Sequence, residues 1–298
     1  MEAEQYRRTC RLVDQLCPHG RGRRQQFSDA VVVKVFFFST HSDRPVVWAC
    51  DEAHWPPALL AEAAGARLPS QATMSRRLDT VGVRQLIERV QLKVAEVLGD
   101  EAVVKVIDSK PLKVGSYSKD RDAKRGRAAG EMARGYKLHA LTAGKSFVHW
   151  TLTAMSDSDQ KTAAELVPRL SDWGYLIADN GYDGNPLYRQ AAEVNHQLVA
   201  PPRRSNAHVR DVRRNSAERI RSLDLCADPL QACGIDDSFG RSLLRERSQI
   251  ERNFGNAVMS GLHAPPPWVR TPHRVAIWVA AKLIQRMMRQ IEIEGLRI

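Results

Sequence analysis

The spacing of apolar and polar positions changes period once along this 298-residue chain, near residue 100. Before that point it is helical. Ser28-Asp29 offers a helix start ahead of residues 30–38, although Val31, Val32, Val33 and Val35 also permit a strand. Pro56-Pro57 opens a helix over 58–65, which Gly65 can end. Ser70 suits the N-cap of a short helix running through Leu78. Residues 81–98 then place Val83, Leu86, Ile87, Val90, Val94 and Leu98 on one face. Beyond 100 the pattern predicts strands at 102–108, 134–142 and 146–154, with a turn at 142–145. A helix at 159–170, a strand at 175–179, a helix at 185–194 and a strand at 197–200 follow. Residues 201–240 read as polar and irregular, 242–258 as one helix, and 273–293 as a long helix after Pro265-Pro266-Pro267. There are no repeats.

Three strands, a helix and two more strands is the order of a ribonuclease-H-like core. The expected class is therefore α/β, a ribonuclease-H-like mixed sheet flanked by helices. It spans 99–298, with an Arg-rich insertion at about 201–240, after a helical DNA-binding region at 1–98. In that topology the first strand is central and the fourth lies parallel beside it. Asp108 and Asp179, each closing an apolar run, then stand at one sheet edge, where sites of α/β folds form. A helix packed nearby can bring Glu251 within metal reach.

Charge sharpens the picture. Lys plus Arg is 45 and Asp plus Glu is 34, a net +11 that fits a polyanionic partner such as nucleic acid. A merely basic globular protein is the plain alternative. The charge is clustered at Arg21, Arg23 and Arg24, at 119–137 and at 201–222. Each of the last two stretches holds seven basic residues, against three and two acids. Both are expected to be loops that order on DNA and grip its backbone, with Arg213, Arg214, Arg219 and Arg221 among the contacts. The five cysteines lack zinc-module spacing and read as free thiols of a reducing compartment. The N-terminus has no signal-peptide core, and the run at 31–38 is too short and too charged to span a membrane. The expectation is a cytoplasmic protein without a membrane partner.

Each candidate has a plain alternative. An Asp after a strand is often only a turn former. Asp172 and Asp183 compete with Asp179, and Glu246 with Glu251. Arg247, four residues before Glu251, shares its helical face and suits either an ion pair or a phosphate. Lys110 and Lys137 are candidate phosphate contacts or simply surface lysines. His139 and His149 read as strand histidines, and Trp150 and Trp278 as core. The helix–turn–helix at 58–79 would turn Gln71, Thr73, Arg76 and Arg77 outward to read bases in a major groove, or it is a packed hairpin with a polar face.

Several blocks together resemble the DDE transposases of bacterial insertion sequences. They are Ile107-Asp108-Ser109, Gly135-Tyr136-Lys137-Leu138-His139, Ser156-Asp157-Ser158-Asp159, Ala178-Asp179-Asn180-Gly181-Tyr182-Asp183, and Arg247-x-x-x-Glu251-Arg252-x-Phe254. Seventy residues separate the two aspartates and 71 separate Asp179 from Glu251. The Tyr-x₂-Arg-x₃-Glu-x₆-Lys signature of one large subgroup is matched at Arg247 and Glu251 and missed at Leu244 and Val258. The resemblance implies that Asp108, Asp179 and Glu251 hold two Mg²⁺ ions, with Mn²⁺ able to substitute. Water and then a DNA 3′-OH attack phosphodiesters in line. It also implies double-stranded DNA partners, element ends and target, bound by a homodimer on the bacterial nucleoid. A metal-dependent nuclease without strand transfer and a catalytically decayed DNA-binding protein are the alternatives.

Overall fold

The computed structural model describes residues 3–17, 26–65, 67–99, 102–128, 130–203, 210–227 and 238–298. Arg21, Arg23, Arg24, Cys233 and parts of the expected insertion lie outside the described residues. Six helices come first: α1 (Ala3–Leu16), α2 (Asp29–His41), α3 (Val46–Ala49), α4 (Pro57–Ala64), α5 (Gln71–Leu78) and α6 (Val81–Val97). Then come β1 (Val104–Lys113), β2 (Lys124–Ala128), β3 (Glu131–Ala143), β4 (Ser146–Ala154), α7 (Asp159–Leu166), β5 (Gly174–Ile177), α8 (Asn185–Glu193) and β6 (His196–Val199). The chain closes with α9 (Ala217–Cys226), α10 (Phe239–Arg245), α11 (Ser248–Met259) and α12 (Pro272–Ile293). No helix among the described residues is long and apolar enough to cross a membrane.

Contacts divide the chain into two compact units, residues 1–98 with 256–298, and residues 99–255. The first break falls where the hydrophobic period changes. By its place after the strands, 256–298 is expected to belong with them. In the structure this segment lies with the helices, because α12 buries Val275, Trp278, Leu283 and Met287 against α6 and α2.

In the helical unit, α2 settles the ambiguity at 30–38. The Ser28 hydroxyl accepts from Val31 N at 3.3 Å and starts the helix. Its apolar residues point all round, as suits a helix buried on every side. Lys34 in this buried helix donates to Asp14 at 2.6 Å and to the Glu62 carbonyl at 3.1 Å, so its charge is paired. The α5 helix starts at Ser70, whose hydroxyl accepts from Thr73 N. Gln71 and Arg76 are exposed on it. Arg77 does not turn outward as expected. It donates to the Phe27 carbonyl at 2.7 Å and to Asp29 at 2.5 Å, because the first turn of α2 supplies a carboxylate there.

In the other unit, β3 pairs antiparallel with β1 along one edge. Its other edge is shared end to end by β2, at 131–135, and β4, at 136–143. Beyond β1, β5 and β6 add in parallel. The resulting order, β4-β3-β1-β5-β6 with β2 extending the β4 edge, is the ribonuclease-H-like topology. Ile107, Leu141, Leu166, Leu176, Tyr188 and Leu198 share its core with α7 and α8.

The two basic stretches are more ordered than expected. Residues 124–128 and 131–137 are strand, and 217–226 are helix. Arg134 wraps the preceding loop, donating to the carbonyls of Ala123, Ser118 and Asp120. Tyr136 donates to Asp120 at 2.7 Å. The helix expected at 242–258 is two, broken between Arg245 and Ser248.

The Arg77 pair gives a direct check. Arg77→Ala leaves the Asp29 carboxylate and the Phe27 carbonyl without their donor. It is expected to lower stability by about 2 kcal/mol, read as a lower midpoint in urea unfolding. An unchanged midpoint would show that Arg77 is free after all.

Candidate active site

The parallel register between β1 and β5 sets Val106 opposite Ile177. Asp108 and Asp179 each stand two residues beyond that pair, so both arrive at the same height. Here the structure differs from the expected strand ends. The β1 strand continues to Lys113 along β3, and it is β5 that stops at Ile177 and opens the edge. Lys110, half-buried and two residues along β1, shares the face of Asp108. Burial lowers its pKa.

Local hydrogen bonds aim both carboxylates. Asp108 Oδ1 accepts from Ser109 N at 2.7 Å, and Asp179 Oδ1 accepts from Gly181 N at 2.7 Å. Asp179 thereby caps the 3₁₀ turn Asn180–Tyr182. A Cβ at position 181 would lie 2.7 Å from Asp179 Oδ1, so glycine lets the carboxylate fold over its own turn. No other hydrogen bond among the described residues takes the second oxygen of either aspartate.

Helix α11 brings the third acid. Ile250, Asn253 and Phe254 form its buried side. Asn253 donates to the Gly144 carbonyl at 2.8 Å, and the Phe254 ring lies 5.9 Å from that of Phe147. These contacts fix the helix on the β3–β4 hairpin. Glu251, exposed beside that buried side, accepts from Arg247 at 2.9 Å.

The electrostatics link these groups. Burial pushes the Asp108 carboxyl up to about 6. Asp179 and Glu251 push the same way, against Ser109 N and Arg247. The Arg247 guanidinium is held above its ordinary pKa by the hydrogen bond to Glu251, with Asp108 and Asp179 adding to it. Burial first, then Asp108, Asp159 and Asp179, keep the Tyr182 phenol well above its usual value, so it stays protonated beside the carboxylates.

Two supporting clusters flank the aspartates. Lys137, expected on phosphate, is buried and donates to Asp159 at 2.9 Å and to the Asp157 carbonyl at 3.1 Å. His139 is pushed down to about 4 by burial and is neutral, with Nε2 2.9 Å from the Thr153 hydroxyl. On the other side, Asp183 accepts from Arg219 Nε and Nη2, both at 2.7 Å, and from Arg203 N at 2.8 Å. Burial alone would raise the Asp183 carboxyl, but these donors hold it below the usual value. Arg213 and Arg214 remain exposed. Tyr182 stood in a quoted block without a site role, and Asp183, a rival of Asp179 in sequence, is taken up by Arg219. Arg219, expected on the DNA backbone, is instead engaged by Asp183, a partner 36 residues away that nothing local signals.

Residues 99–265, more than half of the chain, match the family model described as the transposase DDE domain, and the chain belongs to that family. It is thus a transposase, an enzyme of DNA cleavage and strand transfer, in a family that uses divalent metal ions. Among solved structures it is similar to the cryo-EM structure of the piggyBac transposase synaptic complex with hairpin DNA. That likeness has a TM-score of 0.46 and 11% identity, over 98% of this chain and 73% of the other. It is also similar to the Mos1 transposase paired-end complex with left transposon end, with a TM-score of 0.22 and 13% identity, over 83% and 82% of the two chains. No curated protein matches the sequence.

Among the described residues no three His, Cys, Asp or Glu side chains are already grouped to hold a metal ion. The donor set fits a hard divalent cation in kind. It consists of carboxylates only, each aspartate keeps an oxygen free of hydrogen bonds among the described residues, and the raised Asp108 carboxyl would gain from nearby positive charge. Glu251 would have to share or exchange Arg247.

The sign of the Asp108 shift predicts a stability effect. The fold favours the neutral carboxyl. That advantage is complete below about pH 4 and is lost as pH rises through about 6. Asp108→Asn keeps the shape without the charge. In metal-free buffer it is expected to be more stable than the parent by about 2 kcal/mol at pH 8, with the gap closing near pH 4. Urea titrations at the two pH values test this, and a gap that does not depend on pH would contradict it.

Proposed function

We propose that this transposase binds the ends of its own insertion element and cuts and joins them with Asp108, Asp179 and Glu251 as its catalytic carboxylates. The observation that carries the reading is the shared height of Asp108 and Asp179 beyond the Val106–Ile177 pair, with Glu251 acting electrostatically on Asp108. These three side chains would hold divalent ions, Mg²⁺ with Mn²⁺ able to replace it. When bound, such ions activate the attacking oxygen and stabilise the leaving one. Arg247, in the turn just before α11, balances the charge of the carboxylates and offers a phosphate contact beside Glu251. Lys110, on the Asp108 face of β1, offers another.

Residues 1–98 supply end recognition in this reading, through Gln71 and Arg76 on the exposed side of α5. Arg77 drops out of the reading set because its donors are engaged. Backbone grip falls to Arg213 and Arg214 and to the exposed side chains of Lys119, Arg121, Lys124, Arg125 and Arg127 on and before the edge strand β2. Two copies on two ends is the expected assembly, read from the mass of the protein–DNA complex; one chain per complex would refute it.

Incubation with DNA carrying the element's own ends and Mg²⁺ or Mn²⁺ tests the core of the reading. Asp108→Asn, Asp179→Asn and Glu251→Gln are each expected to abolish nicking and joining while leaving end binding intact. Cleavage retained in all three would sink the assignment, and nicking without joining in the parent would favour the nuclease alternative.

Arg76→Ala is expected to cost about 1–3 kcal/mol on the element's ends and almost nothing on unrelated DNA. Equal losses on both would make Arg76 a phosphate contact instead.

A further inference from the structure

The arginines of the 201–222 stretch divide into two kinds. Arg213, Arg214 and Arg221 are exposed. Arg203 and Arg219 are tied to the turn that follows β5. Arg219 makes a fork on Asp183, with Nε on Oδ1 and Nη2 on Oδ2, both at 2.7 Å. The Asp183 side chain is only 1% exposed and that of Arg219 14%. Arg203 donates its backbone N–H to Asp183 Oδ2 at 2.8 Å and its Nη2 to the Gly181 carbonyl at 2.9 Å. Tyr188, from α8, adds a bond to Asp183 Oδ1 at 3.3 Å. Four donors thus saturate one buried carboxylate, which lies one residue past the turn that Asp179 caps.

From this geometry we propose that Arg219 and Asp183 are positioning residues for the cleavage reaction. Their fork, with Arg203 as a strap, holds the 179–183 turn so that Asp179 meets Asp108. The strand cannot do this alone, because β5 ends at Ile177 and its ladder supplies nothing to residues 179–183. The turn has its own hydrogen bond, Gly181 N to Asp179, but that bond orients the carboxylate relative to the turn and not relative to β1. Tyr182 of the turn is buried in the same core as Ile107 of β1, and the clamp adds a second reference by tying the turn to α8 and α9, which pack beside β6. A bidentate guanidinium–carboxylate pair fixes angle as well as distance, so lysine does not replace it. The proposal rests on Asp179 being a catalytic carboxylate.

The test compares Arg219→Gln and the charge-retaining Arg219→Lys with Arg213→Gln and with Asp179→Asn, all in the full chain. Three readouts are needed: cleavage rate at saturating end DNA with Mn²⁺, the salt dependence of DNA binding, and amide exchange of the metal-free, DNA-free protein. For a positioning role, Arg219→Gln and Arg219→Lys both cut at least tenfold more slowly. Their slope of log affinity against log salt stays that of the parent, and exchange quickens in the peptide covering 179–183 but not in β1 or β3. Arg213→Gln, by contrast, flattens the slope by about one unit, as the loss of a phosphate contact does. A flatter salt slope for Arg219→Gln with parental cleavage at saturation would make Arg219 a phosphate contact and overturn the proposal. Parental exchange at 179–183, or exchange quickened throughout the unit, would also overturn it. Cleavage retained by Asp179→Asn would instead refute the site assignment, whatever the clamp does.

Discussion

The parallel pairing of β1 with β5 governs this molecule. Only three residue pairs make it, from Val104–Tyr175 to Val106–Ile177, yet that register sets the relative height of two carboxylates with 70 residues between them. A slip of one position would turn every side chain of β5 to the opposite face. The slip is blocked by burial, since Leu176, Ile177 and Ala178 are fully buried on one side of the pair and Ile107 on the other. The core therefore aims the chemistry: the interactions that hide Leu176 and Ile107 also hold Asp179 level with Asp108.

A site built this way carries a standing cost. Asp108 is partly withdrawn from water near two further acids, and its proton is held up to about pH 6. The neighbouring groups offset this unevenly. Arg247 answers Glu251 directly and the aspartates at a distance, while Ser109 N and Gly181 N each satisfy one carboxylate oxygen. Asp183, by contrast, has both oxygens taken by Arg219, and Asp159 has one paired with Lys137. Asp108 and Asp179 are thus the acids here that no protein cation pairs with directly among the described residues, while Glu251 reaches a divalent cation only by sharing or exchanging Arg247.

The basic charge needs the same sorting. Net charge alone points to a polyanion, but it does not say which side chains meet it. Arg77, Arg134, Lys137 and Arg219 all lie in stretches that read as DNA-facing, and all four are engaged inside the protein. Their neighbours Arg76, Arg125, Arg127, Arg213 and Arg214 stay exposed. Arginine carries five donors in a fixed fork, so it is as useful for binding loop carbonyls as for binding phosphate. Composition cannot separate the two uses.

Much of the architecture was legible along the chain because it depends on local periodicity. The helical N-terminal part, the β3–β4 hairpin, the order of strands and the break near residue 98 follow from spacing and turn residues. Apolar runs likewise set Asp108 and Asp179 just past the paired segments of neighbouring strands. Tertiary structure decided what depends on partners far apart. The α2 helix is a helix despite its valines because it is buried on all sides and capped by Ser28. The β2 strand, with few apolar residues, exists because β3 is long enough to offer it an edge. The segment 256–298 belongs with helices far before it in the chain, since α12 buries its apolar face against α6 and α2. The clamp on Asp183 comes from an arginine 36 residues away. Sequence spacing encodes which face of an element is apolar; it does not encode which distant donor will reach a given carboxylate, because that is settled by packing once the faces have met.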